Sequence, residues 1–200
     1  MIPSYSFSNN IFINLDNNNE YFFNDFYLLS KKYIDYHKDN YVSNYNLIDQ
    51  LSMLYQINNI INYYDYDYAL FMRDDLLITK ISPDLTYLLN NIKNYVFMPS
   101  WFWWNGYNDR FSVFASNKIK KISSRILLVP EFLEKYGFLN AEILMYYCLK
   151  KAKYKVISGD VRHYRVRLNS KIRKESYTRH ILRPKELVRV FLSYCRCRTL

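Results

Sequence analysis

Residues 66–78 read YDYALFMRDDLLI. The centre, YALFM, is apolar and aromatic, the pattern of a buried β-strand. Its end places Arg73, Asp74 and Asp75 side by side before returning to leucine. In open α/β sheets, ligands sit beyond the carboxyl ends of the strands, so three charges at such an end are candidates for holding one. Two readings stand. Adjacent carboxylates repel unless a cation sits beside them, and a divalent ion such as Mg²⁺ or Mn²⁺ suits one or two carboxylates with phosphate oxygens. Alternatively, the charges form a solvated turn in which Arg73 pairs with a neighbour.

Working outward, 11–15 (IFINL) reads as a short buried strand and 20–37 as an amphipathic helix. The clearest helix follows over 44–64, with Leu47, Leu51, Leu54 and Ile61 near one face and Ser43 or Asn44 as cap. Residues 81–92 predict a short helix with Ser82 at the cap and Pro83 in the first turn. Strands are expected at 95–99 (YVFMP) and 110–116 (RFSVFAS), separated by an aromatic, polar loop, SWFWWNGYND. Residues 117–126 are expected to be helical. Pro130 opens and Gly137 ends the next helix, Asn140 caps another, and strands are expected at YKVIS and VRHYRVRL. Helices alternating with short apolar strands predict one α/β domain over 1–170. A basic extension over 171–200 contains a further helix at 185–196.

Two hundred residues suffice for one domain, and half of them are apolar. Asn, Tyr, Ile and Lys dominate, all with A/T-rich codons, so their abundance alone argues little. The net charge of +10 is uneven: residues 1–117 hold 7 Lys/Arg against 12 Asp/Glu, and residues 118–200 hold 21 against 6. The basic half points to an anionic partner: nucleic acid, a phosphorylated ligand or an acidic membrane surface. Cys148 lies in an apolar helix and reads as a core thiol. Cys195 and Cys197 are too few ligands for zinc, so a reducing compartment and a cytoplasmic location are expected. No apolar run is long enough to span a bilayer, and the N-terminus lacks the form of a secretory signal.

Several clusters are candidates for chemistry. Asn108 and Asp109 follow Trp101, Trp103 and Trp104, and aromatic rings beside an acid suit a sugar: rings stack on its apolar face and an acid handles its hydroxyls. An ordinary turn over core tryptophans is the other reading. Glu142 stands in the first turn of its helix, where acids are favoured by the dipole alone, yet it can be the second acid of one cleft. Arg165 and Arg167 share a strand face, and paired guanidiniums suit a diphosphate; an exposed basic face fits equally. His163 among them packs in the core or sits in solvent. The C-terminal helix has Leu187, Val190, Phe191 and Tyr194 on one side, so it either docks on the domain or makes peripheral contact with an anionic membrane.

In order and spacing, YDYALFMRDDLL, GYNDRFSVFAS, NAEILMYYCL and HYRVRL resemble motifs of a family of small GT-A-like glycosyltransferases and sugar transferases from large DNA viruses and microbes. The resemblance covers about residues 45–170. There, a strand runs roughly YD-x-x-x-R-x-R-x-D-L and a turn G-x-N-D-R/Q-F-A-x-G, with a helix-start Glu and an R-V-R strand behind. It implies a mixed central sheet flanked by helices, with the first nucleotide-binding βα unit missing or rebuilt. It also implies transfer of a sugar from a nucleotide-diphosphate donor to a hydroxyl acceptor, on a glycan or elsewhere. By position, Asp75 would bind a divalent metal (Mn or Mg) or the donor. Arg73, Asp74, Trp101, Trp104, Asn108, Arg165 and Arg167 would bind donor or substrate, and Asp109 and Glu142 would be catalytic. Phe71 replaces the first Arg of the motif, Asp74 a small residue or proline, and Ala115-Ser116 the A-x-G. Two other expectations remain: an inactive transferase-like binding module, and a polyanion binder using the basic half.

Overall fold

The computed structural model describes residues 20–61, 66–82, 85–166, 172–173 and 192. The expected strand at 11–15, the basic C-terminal helix and Arg167 lie outside these residues. In chain order the elements are α1 (Glu20–Ser30), α2 (Val42–Ile61), β1 (Tyr68–Met72), β2 (Leu76–Ser82), α3 (Leu85–Asn91), β3 (Tyr95–Pro99) and β4 (Phe111–Ala115). They continue with α4 (Ile119–Ser123), α5 (Val129–Tyr136), α6 (Ala141–Lys151), β5 (Lys155–Val166) and the two-residue β6 (Ile172–Arg173). Short 3₁₀ turns at Ile92–Asn94, Ser116–Lys118 and Ser124–Leu128 link them. The architecture is mixed α/β, as expected.

The strand order is β1-β4-β3-β5-β2, with β6 on β5. β1 and β3 each run antiparallel to β4, β3 runs parallel to the first half of β5, and β2 runs antiparallel to its second half. The two expected strands near 154–168 are thus one long strand. The 81–92 segment is corrected as well: Ile81 and Ser82 end a strand, LLITKIS, that helical reading had overlooked.

Period-2 alternation sends side chains of the central strands to two cores. Phe97, Phe111, Val113 and Ile157 face α3, together with Trp101 and Phe102. Val96, Met98, Phe114 and Val156 face α4 and α6. A third cluster joins α1, α2, α5 and α6 around Leu51, Phe132, Leu133 and Leu144. All five residues of β4 and four of β3 are buried, as covered central strands require.

β1, expected as a buried strand, is instead an edge: among the described residues it pairs only with β4, and Leu70 and Met72 are 45% and 47% exposed. β2 is the last strand on the other side, yet only three residues separate them. A flat sheet would place β1 and β2 about four strand spacings apart, roughly 19 Å. The chain from Met72 to Leu76 reaches at most about 14 Å. The sheet therefore has to curl, and residues 73–75 close it. Arg73 N–H donates to Arg110 O (3.0 Å) beside β1, and Val166 N–H donates to Asp75 O (2.9 Å) at the end of β5.

Candidate active site

Curling brings the C-terminal ends of β1, β3 and β5 together with the start of β4. The loop between β3 and β4 lies over this end and is tied at four points. Trp103 Nε1 donates to Pro99 O (2.6 Å), Trp101 Nε1 to Val161 O (2.7 Å) and Asn108 Nδ2 to Trp101 O (3.0 Å). Tyr107 N–H donates to Glu142 O (2.9 Å), joining the loop to the first turn of α6. Phe102, Trp104 and Asn105 hold left-handed backbone, with φ of 52°, 39° and 67°. Bulky residues persist there only where their surroundings over-determine the conformation. Gly106 lies against α6 so closely that a Cβ would stand 1.9 Å from Glu142 O.

This clamp sets Asp109 opposite Glu142. Asn108 is fully buried, and its Oδ1 accepts the backbone N–H groups of Arg110 (2.9 Å) and Phe111 (3.1 Å). With Nδ2 on Trp101 O, its amide binds the loop itself and orients Asp109. Buried and bonded within the loop, Asn108 does not line the cavity that Asp109 and Glu142 share. Asn140 caps α6 as expected, with Oδ1 accepting from Ile143 N–H (3.0 Å). Burial, then the nearby negative charge of Asp109, push the Glu142 carboxyl up to about 8, against opposing effects from its own backbone N–H, Arg110 and Asn140. At neutral pH Glu142 is protonated, and its O–H is a hydrogen-bond donor.

A cavity of about 730 Å³ opens here, within the range of small-molecule sites. One wall carries Arg73, Asp74, Asp109, Arg110, Glu142 and Arg165. The facing wall is a stripe of α2, where Ser43, Asn46, Leu47, Gln50, Met53 and Leu54 recur at helical spacing. Asp39, not Ser43 or Asn44, caps α2, accepting Ser43 N–H at 3.1 Å.

Asp75 stands behind the charged wall. Its Oδ1 accepts from Arg73 Nε (3.0 Å), and its Oδ2 from Arg73 Nη2 (3.1 Å) and Arg165 Nε (2.7 Å). Partial burial would raise this carboxyl, but the two guanidiniums outweigh it and hold it below its usual value. Both oxygens face cations, and no group of three His, Cys, Asp or Glu among the described residues can hold a metal. Asp75, with both oxygens taken by guanidiniums, therefore does not fit a divalent ion. The expected strand-end charges are partly the seam of the curled sheet. Asp75→Asn should cost about 1–3 kcal/mol by leaving two guanidiniums without their shared anion. Because the folded carboxyl is lowered, its contribution is complete above pH ~4 and lost as pH falls further. Thermal unfolding should therefore show a flatter acid limb for the variant than for wild type.

The cavity gathers Arg73, Asp74, Asp109, Glu142 and Arg165 of the expected residues. Comparison with protein-family models, curated proteins and solved structures finds no match. The tryptophans do not line the cavity. Trp101 is 8% exposed and stacks on buried His163 at 4.2 Å, so it fills the core under the loop. Trp104 is half exposed and lies parallel to Phe102, with centroids 6.3 Å apart. Sequence reasoning passed over Asn46 and Gln50, which line the cavity, because amides are abundant throughout this chain; His37, which also lines it, carried no local signal. It also passed over Arg125, which is buried. No described helix is long and apolar enough to cross a membrane.

Proposed function

We propose that the chain is a glycosyltransferase of GT-A-like type, moving a sugar from a nucleotide-diphosphate donor to a hydroxyl acceptor. The observation that carries this reading is the carboxyl pair Asp109 and Glu142, with Glu142 driven protonated, in one cavity with three arginines. Sugar transfer needs a base at the acceptor hydroxyl and positive charge at the leaving diphosphate. As the acceptor oxygen bonds to the anomeric carbon, its proton leaves to a carboxylate and the sugar–phosphate bond breaks toward an anionic diphosphate. Asp109 is the base, and one carboxylate suffices for direct displacement. Glu142 donates a hydrogen bond to a sugar or acceptor oxygen. Arg73, Arg110 and Arg165 supply the positive wall against which the diphosphate charge develops. The amides Asn46 and Gln50 face them across the cavity, placed to meet neutral hydroxyls.

Thermal shift against a panel of UDP- and GDP-sugars, with and without Mn²⁺, tests the reading. At least one nucleotide-sugar should stabilise the protein, by roughly 2.7 kcal/mol at a hundredfold excess over its Kd. The shift should fall in Arg165→Ala. No shift with any member, with or without Mn²⁺, overturns the donor site.

A further inference from the structure

Beside the large cavity lies a smaller one of about 200 Å³, sharing Gln50, Leu54, Met72, Arg73 and Asp109 with it and bounded also by the exposed Leu70 of β1. Arg125, in the 3₁₀ turn after α4, lines this smaller space and is 2% exposed. α2 is fixed over that turn, with Asn58 Nδ2 donating to Ser124 Oγ (2.7 Å).

Arg125 is unusually placed for a core residue. A guanidinium carries five N–H donors. Among the described residues, Arg125 makes a hydrogen bond only from Nη1 to Ile122 O (3.0 Å), and it makes no ion pair. Burial makes its charge costly, and Cys148 and then Asp109 only partly offset that cost. Arg73 reaches the same volume from β1, and Ser112 and Gln50 add neutral polar groups. The space is several times the ~30 Å³ share of one water, so a small anion fits with water to spare. The lining holds two arginines against one aspartate. Arg73 also pairs with Asp75 through Nε and Nη2, which leaves, among the described residues, its Nη1 and all but one donor of Arg125 for a ligand.

We propose that the smaller cavity is an oxyanion subsite, in which Arg125 and Arg73 hold a phosphate or carboxylate group of a ligand. Planar guanidinium forks match both geometries. The subsite does not rest on the transfer reading, because its test contains no nucleotide-sugar.

The experiment measures unfolding midpoints and calorimetric affinity for sodium phosphate and sodium acetate, against sodium chloride at matched ionic strength. Wild type should be stabilised by one oxyanion beyond chloride, and which one responds separates a phosphate from a carboxylate ligand. Arg125→Met keeps the unbranched apolar stem and removes the guanidinium. It should leave the ligand-free midpoint unchanged or raised, because a costly buried charge is gone, and should abolish the oxyanion shift. Arg125→Lys retains the charge without the fork and should weaken binding by about ten-fold, which decides the matter if the Met variant fails to fold. No oxyanion effect in wild type overturns the proposal, as does full oxyanion affinity in either folded variant.

Discussion

Asp109→Asn is expected to lower sugar transfer by about 10²–10⁴-fold, the usual contribution of a positioned base, while the protein stays folded. The substitution is nearly isosteric and leaves the clamp around it untouched, since the loop is held by Asn108, Trp101, Trp103 and Tyr107. Its second consequence separates this site from an ordinary turn. Burial is the main reason that the Glu142 carboxyl rises to about 8, and the Asp109 charge is the next. Removing that charge should lower the Glu142 midpoint, read directly by ¹³C NMR of the side-chain carboxyl in wild type and variant. An unchanged midpoint would show that the two acids do not share a cleft.

Stability should follow the same proton. The folded carboxyl is raised above its unfolded value, so the folded state binds the extra proton between about pH 4 and 8. Stability therefore declines as pH rises through that window and levels off above it. Glu142→Gln keeps a hydrogen-bond donor and has no charge to bury. It should flatten this decline in thermal melts at pH 6 to 9, with a gain on the order of a few kcal/mol at the alkaline end. It should also retain transfer at neutral pH and lose the alkaline fall in rate that is expected of wild type near pH 8. A rate lost at every pH in Glu142→Gln would assign the carboxyl a role beyond donating a hydrogen bond.

Gly106→Ala has the largest structural effect expected. The new methyl would stand 1.9 Å from Glu142 O, 2.0 Å from Glu142 C and 2.4 Å from Ile143 N. All three are backbone atoms of a helix packed into two of the three clusters, so no side chain can move aside. Either the loop lifts from α6 or α6 shifts. About 2–4 kcal/mol should be lost, and the Tyr107–Glu142 hydrogen bond with it. Gly106 does not have a positive φ, so the reason is close approach and not backbone freedom. Gly137→Ala is the contrast: its φ is 74°, but nothing lies within 4 Å of the added carbon. It should cost only the left-handed strain of a helix C-cap, about 1 kcal/mol. Chemical denaturation of both variants, with Glu142 titration in Gly106→Ala, would distinguish contact from strain.

Local pattern carried much of the fold. YVFMP and RFSVFAS read as strands because apolar runs bounded by polar loops have few other uses. Asn140 and Gly137 read as helix ends because cap chemistry is set by backbone geometry within a few residues. LLITKIS was missed because a short mixed run beside a Ser-Pro cap signal supports both strand and helix. His163 and Trp101, each open to two readings, pack together in the core, and no local rule could have paired residues 62 positions apart.

The sequence by itself determined the α/β alternation, the caps and the residue types available for chemistry, because those follow from periodicity and side-chain identity. Tertiary structure decided what the charges do. Only the pairing of β2 with β5, which sets Leu76 opposite Arg165, brings Arg165 to Asp75 and makes that acid the partner of two arginines. Only the contact of Gly106 with α6 sets Asp109 beside Glu142. Only the covering of the turn after α4 by α2 buries Arg125. Burial and proximity across long chain separations set protonation and pairing, and neither is written in any short stretch of residues.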